Sequence, residues 1–224
     1  SNYARQVNTL IGTKGVGLTS GYLYPGATYP YGMVQFTPSY FSKRSGFVIN
    51  QLSGGGCEHM GNFPTFPVKG KLKMSPDNIL NYRINISEEK GHAGYYEAKV
   101  QEDIHAKLTV TERTGMASYE YPADQQYGTV IIGGGISATP IEQAAIVITA
   151  PNKCEGYAEG GNFCGLRTPY KVYFVAEFDT DALESGTWKR DELKPNTTFA
   201  EGEYSGVYFT FDVNKKKNIQ YKIG

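Results

Sequence analysis

Three glycines, Gly54-Gly55-Gly56, run directly into Cys57, Glu58 and His59, which places a thiol, a carboxyl and an imidazole in three consecutive residues. A residue without a Cβ permits positive φ and lets a ligand come close to the main chain. Functional residues on β scaffolds sit disproportionately in such loops. Glu58 is the strongest single carboxyl group in the chain, but acid and base work on a glycoside or ester needs two carboxyls held several ångströms apart in a cleft. No partner for Glu58 is evident, and a solvent-facing loop acid fits it equally well. Cys57 as a nucleophile needs a base, and His59, two residues on, points to the opposite side of a regular strand. The loop reads as a ligand contact and not as a complete catalytic centre.

The other titratable groups are scattered. His59, His92 and His105 show neither HExxH nor Cys-x-x-Cys spacing, so no protein-only metal site is assigned. Gly133-Gly134-Gly135 lacks the Gly-Lys-Ser/Thr of a phosphate loop and reads as a bulge or turn. Glu112 and Arg113, in the strand-like TVTERTG, suit an adjacent or cross-strand ion pair. Asp179 and Asp181 suit a turn. Cys154 and Cys164 bracket the glycine-rich excursion CEGYAEGGNFC; they could form a disulfide in an oxidising compartment or serve as two small apolar side chains.

The elements that carry these groups are strands. Tyrosine and phenylalanine number 18 and 11, and β-type runs recur between turn residues: Met33 to Thr37, the strand-like SGFVINQLS, Gly94 to Gln101, His105 to Thr111, Ala117 to Tyr121, Thr129 to Ile132, Ala145 to Thr149, Tyr170 to Phe178, Gly206 to Val213 and Ile219 to Ile223. Short helical turns are expected only near Tyr3 to Thr9, Asn78 to Tyr82 and Ile141 to Ala144. Hairpin spacings without amphipathic helices between them predict an all-β fold, a large antiparallel β-sandwich. The near-continuous apolar run at Tyr170 to Phe178 predicts a strand covered on both faces, and the alternation from Lys107 to Glu112 a strand with one wet face. No linker or fixed repeat divides residues 1–224, so a single domain is expected.

Lysine plus arginine balances aspartate plus glutamate at 22 each, which argues against nucleic acid or an acidic membrane as partner. Lys215-Lys216-Lys217 reads as a solvated hairpin tip. No run approaches the roughly 20 apolar residues of a membrane span, and the first residues lack a signal peptide's apolar core.

Seven segments, in order, resemble the N-terminal domain of the family 92 glycoside hydrolases, bacterial exo-acting α-mannosidases. They are VNTLIGT at Val7 to Thr13, PGATYPYGMVQFTP at Pro25 to Pro38, LSGGGC at Leu52 to Cys57, GHAGYYEAKV at Gly91 to Val100, KLTVTERTGMASYEYP at Lys107 to Pro122, GYAEGGNFCG at Gly156 to Gly165, and YKVYFVAEF at Tyr170 to Phe178. The resemblance implies a supersandwich of the galactose-mutarotase-like kind. It also implies a longer (α/α)6 helical domain on the C-terminal side that supplies the catalytic carboxyls and most of a calcium site. It implies export to the periplasm or cell surface and mannose-containing glycans as substrates. No catalytic residue and no metal ligand is then expected in this chain.

By the same resemblance, Gly54, Gly55, Gly56, Cys57, Glu58 and His59 face the domain boundary as substrate contacts. Tyr40 and Phe41 stand where relatives carry a tryptophan-containing loop. The chain departs from the family at Gly15-Val16-Gly17-Leu18, at Ile49-Asn50-Gln51 and at Asn62, where histidines and an aspartate are common, so linkage preference is not carried over. Three readings follow: an accessory domain of a calcium-dependent, inverting exo-α-mannosidase, inactive alone; an autonomous carbohydrate-binding module; or a structural or adhesion sandwich. On the first reading, one face should expose an apolar patch of a few hundred Å² or more.

Overall fold

Residues 2–11, 13, 26–28, 34–38, 46–49, 62–77, 85–134, 141–163 and 166–224 are described by the computed structural model of the chain. After a short 3-10 turn at Asn2–Gln6, the strands are β1 (Ala27–Thr28), β2 (Gln35–Pro38), β3 (Phe47–Ile49), β4 (Asn62–Lys69), β5 (Ile86–His92), β6 (Tyr95–Val100), β7 (Ile104–Val110) and β8 (Gly115–Glu120). They continue as β9 (Tyr127–Gly133), β10 (Ile141–Ala150), β11 (Lys153–Phe163), β12 (Leu166–Phe178), β13 (Glu184–Lys189), β14 (Glu192–Pro195), β15 (Phe199–Glu201), β16 (Ser205–Asp212) and β17 (Asn218–Ile223). One sheet has eight strands in the order β1-β2-β3-β4-β9-β16-β13-β14, and the other nine in the order β15-β10-β11-β12-β17-β8-β7-β6-β5. The fold is the all-β antiparallel sandwich expected.

Period-two patterning builds the common core. In β7, Ile104, Ala106 and Leu108 turn inward while His105 and Lys107 face out, as the alternation predicts. Phe36, Phe47 and Phe66 of the eight-stranded sheet meet Tyr96, Tyr119 and Tyr221 of the other in a fully buried aromatic layer. The Phe47 ring lies 6.2 Å from Tyr119 and 6.3 Å from Tyr96. Hydroxyls inside this layer are paired with one another. Thr65 Oγ1 and the Tyr221 hydroxyl are 2.6 Å apart, and the Tyr119 and Tyr221 hydroxyls 2.7 Å, so the two sheets are tied by a polar contact where water is excluded.

Four expectations are corrected. Ile141 to Ala144 is the start of β10 and not a helical turn, because Ile141, Ala144 and Ile146 must line the sandwich interior. CEGYAEGGNF, as far as Phe163, belongs to a long strand: Gly156 lies where a Cβ would stand 2.3 Å from the Ala145 carbonyl oxygen and 2.9 Å from the Phe174 ring, so this glycine serves close packing and not a turn. Glu112 and Arg113 sit exposed in the hairpin turn after β7, and among the described residues neither forms an ion pair. In β12, Phe174, Ala176 and Phe178 are buried, but Tyr173 is 70% exposed and Val175 41%, so only one face of that strand is covered within this chain.

The turn expectations at Lys215 to Lys217 and at Asp179 hold, whereas Gly133 ends β9 and Gly135 lies outside the described residues. Lys215, Lys216 and Lys217 are exposed between β16 and β17, with Lys216 paired to Asp179. Asp179 also accepts the Gln220 amide at 3.2 Å, which fixes the turn after β12. The expected helical turn at Asn78 to Tyr82 lies outside the described residues.

Candidate functional site

The glycine loop connects two adjacent strands, β3 and β4. Ile49, last in β3, lies opposite Asn62, first in β4. Asn62 is buried, and its Nδ2 donates to the Tyr170 hydroxyl at 3.3 Å. The next residue, Phe63, adopts a φ of 49°, a left-handed conformation that costs about 1–3 kcal/mol in a non-glycine residue and persists only where packing imposes it. The packing is Phe174, whose ring lies 4.1 Å away. Both contacts thus reach across the sandwich to β12. Gly54, Gly55, Gly56, Cys57, Glu58 and His59 in this loop, and Tyr40 and Phe41 between β2 and β3, lie outside the described residues.

Strand β12 also carries a feature that the sequence did not single out. On the outer side of the nine-stranded sheet, Tyr173 stands opposite Tyr157 and Val175 opposite Glu155. Tyr157 is opposite Ala145, Val147 is opposite Glu155, and Phe199 of the edge strand is opposite Val147. These side chains line a shallow groove of about 400 Å³, with Phe199 55% exposed. The Tyr157 and Tyr173 rings are 6.1 Å apart. The Lys171 ammonium lies 4.2 Å from the Tyr157 ring centroid and bonds Glu159 at 2.5 Å, closing one side of the groove with a neutralised pair. Period two predicts this outward set once β11 and β12 are aligned, but a run apolar on both faces does not reveal which face lacks cover.

The other half of the same outer surface is polar. Tyr95, Glu97 and Lys99 of β6 face His105, Lys107 and Thr109 of β7. The Tyr95 hydroxyl donates to Glu97 Oε2 at 2.6 Å, and His105 Nε2 and Lys90 Nζ lie 3.5 and 3.6 Å from the Glu97 carboxylate. The hydrogen bond from Tyr95 holds the Glu97 carboxyl below its ordinary range, with the nearby cations acting in the same direction. Partial burial, aided by that bond, pushes the Tyr95 phenol up to about 12. This is a mutually satisfied surface network, with one carboxylate and no second acid opposite it.

Among the described residues no three His, Cys, Asp or Glu side chains come together to hold a metal. Cys154 is a buried free thiol. It begins β11 and pairs with Ala176, whereas Phe163, the chain neighbour of Cys164, ends that strand. Cys164, the candidate disulfide partner of Cys154, lies outside the described residues. Burial pushes the Cys154 thiol well above its usual range. Native protein treated with an aromatic disulfide reagent at pH 8 is expected to leave the peptide containing Cys154 unmodified until denaturant is added. Labelling at the native state, read by mass spectrometry, would contradict this packing.

The fold and its surfaces define a two-sheet β-sandwich with one uncovered apolar half-face. The family model "Glycosyl hydrolase family 92 N-terminal domain" matches residues 6–224, and the chain belongs to that family. It is similar to an uncharacterized secreted glycosidase of Arthroderma benhamiae, 32% identical over 138 residues, which cover 53% of this chain and 17% of that protein. Its fold superposes on the GH92 family glycosyl hydrolase ccman5 with a TM-score of 0.83 at 23% identity, covering 99% of this chain and 32% of the other. A GH92 alpha-mannosidase of Bacteroides thetaiotaomicron gives 0.83 at 22% identity, with 100% and 33% covered. A GH92 inverting mannosidase of the same species gives 0.79 at 22%, with 99% and 31% covered. The chain therefore spans about a third of the length of these solved relatives and less of the fungal one. Among the described residues no helix is long and apolar enough to cross a membrane.

Proposed function

We propose that this chain is the N-terminal accessory domain of an exported exo-α-mannosidase, inactive alone, that walls one side of a sugar pocket and packs on a helical catalytic domain. The supporting observation is its superposition, over essentially its full length, on about a third of two enzymes described as mannosidases. In this reading the chemistry is inverting. One acid on the following domain protonates the leaving oxygen while a second activates water across the ring, and calcium is held by oxygen ligands of that domain. The sandwich contributes Gly54 to His59, with Tyr40 and Phe41, as substrate contacts. Asn62 and Phe63, which follow that loop in the chain, are held against β12.

The reading makes a measurable prediction. Residues 1–224 incubated with α-mannobiose, with and without calcium, are expected to release no mannose, whereas the longer gene product releases it and loses activity on chelation. Turnover by residues 1–224 alone would overturn the accessory role. Binding of mannobiose by residues 1–224 at millimolar concentration or tighter, seen by calorimetry, would favour a carbohydrate-binding module instead.

A further inference from the structure

The outer surface of the nine-stranded sheet is divided. On β17, β8, β7 and β6 its outward residues include Lys222, Gln220, Ser118, Glu120, Lys107, His105, Glu97 and Lys99, with Met116 and the Glu97-bonded Tyr95 the large apolar or aromatic side chains. On β12, β11, β10 and β15 they include Tyr173, Val175, Tyr157, Ala145, Val147 and Phe199. Isolated exposed apolar residues are ordinary, but a contiguous set rimmed by polar ones marks a contact surface. The boundary between the halves falls at β17, and the chain reaches Gly224 on that boundary. Gly224 and Val175 exchange both main-chain hydrogen bonds, at 2.8 and 3.1 Å. The antiparallel ladder runs from Phe178 opposite Tyr221 to Ala176 opposite Ile223. Chain continuing past Gly224 therefore advances along β12 toward Phe174 and Tyr173, directly beside the apolar groove.

We propose that this apolar half-face is the docking surface for the polypeptide that follows Gly224, which folds back over Tyr173, Val175, Tyr157 and Phe199. The proposal rests on the reading of the chain as one part of a longer mannosidase, and identifies the face that joins the parts. The chemistry of the occupant follows from the groove. It is a largely apolar strip, because all but one of the outward side chains that line the groove, Glu155 being the exception, are apolar or aromatic. It carries a lysine or arginine near its middle, because Glu155 stands between Val147 and Val175 and, among the described residues, makes no ion pair. A sugar is less well matched. Its hydroxyls need several convergent donors and acceptors, and Glu155 is the groove's one charged lining side chain, since Lys171 and Glu159 already neutralise each other at its side.

Hydroxyl-radical footprinting of residues 1–224 and of the longer gene product tests this. Peptides containing Tyr157, Tyr173 and Phe199 are expected to label strongly in the short chain and to lose most of that labelling in the long one. Tyr95, on the polar half, should label equally in both. In the long chain Val175→Lys should restore labelling at Tyr173, while in the short chain the same change at this exposed position should leave the melting temperature unchanged. Equal labelling of Tyr173 in both forms, in a long chain that still hydrolyses mannobiose, overturns the docking face and leaves the proposed function standing. Protection of Tyr173 in the short chain by mannobiose, or by raising protein concentration, also overturns it, in favour of a sugar or a second copy. A reading frame that ends at Gly224 removes both proposals together.

Discussion

Raising the pH from 10 to 12 is expected to destabilise the domain steeply, while stability between pH 7 and 9 falls by only about 1 kcal/mol or less, the share of the buried Cys154 thiol. Tyr119, Tyr121 and Tyr221 are fully buried, and burial pushes each phenol well above its ordinary value. For Tyr221 the neighbouring Tyr119 acts in the same direction, since neither hydroxyl can ionise beside the other without leaving an anion in the core. In the unfolded chain all three titrate near 10. Between that pH and the raised folded values the native state retains protons that the unfolded state has lost, so stability falls as pH rises. The slope is about 1.4 kcal/mol per pH unit for each group, or about 4 for the three. A net stability of about 5–15 kcal/mol is then exhausted within a few pH units above 10. Tyrosinate absorbance should appear in step with loss of β-sheet circular dichroism. Ionisation of these three residues near pH 10 with the sheet signal intact would contradict the buried hydroxyl layer. Tyr221→Phe should lose about 1–3 kcal/mol at neutral pH, because Thr65 and Tyr119 are left short of a partner in the dry core.

Much of this architecture is written in local pattern, and the misses have physical causes. β7, β9, β12, β16 and β17 were legible because period-two alternation or an unbroken apolar run marked them. β4 was not, since Pro64 and Pro67 argue against an interior strand. The structure accommodates both. Pro64 falls in the register shift between β3 and β4, and Pro67 lies beyond the paired residues of β3, so that among the described residues β4 is paired there only with β9. β11 was hidden by glycines that suggest a turn, whereas Gly156 is needed because its neighbours leave no room for a Cβ. The same limit applies to function. Gly54 to His59 stood out by residue type, but the apolar half-face did not, because cover on the outside of a sheet is a property of what packs there. Tyr173 and Val175 carry the same letters whether solvent or protein lies above them.

Gly206 and Trp188 share one tightly filled space in the core. Gly206 pairs with Trp188 on one side and Gly133 on the other, and Trp188, the only tryptophan in the chain, is fully buried. The indole lies over the glycine so closely that a Cβ there would stand 2.3 Å from Trp188 Cη2 and 2.4 Å from the Ile132 carbonyl oxygen. The ring could turn aside, but the carbonyl belongs to the central ladder and cannot. Gly206→Ala is therefore expected to destabilise by about 3 kcal/mol, at the upper end of overpacking costs. Trp188→Ala should cost about 3–5 kcal/mol by leaving a cavity. At about 2–4 °C per kcal/mol for a domain of this size, each lowers the melting temperature by roughly 10 °C. The indole Nε1 has no hydrogen-bond partner in the core, so Trp188→Phe loses packing but also removes an unpaired donor and should cost less than Trp188→Ala. Combining Trp188→Phe with Gly206→Ala should recover part of the glycine effect and not all of it, because the Ile132 carbonyl remains in the way; the two changes are in contact and should not add. Thermal unfolding of the wild type, Gly206→Ala, Trp188→Phe and the double variant, with the blue-shifted emission of Trp188 as a local reporter in the two proteins that keep it, measures that coupling. Full additivity would mean that the indole and Gly206 do not share the space described here.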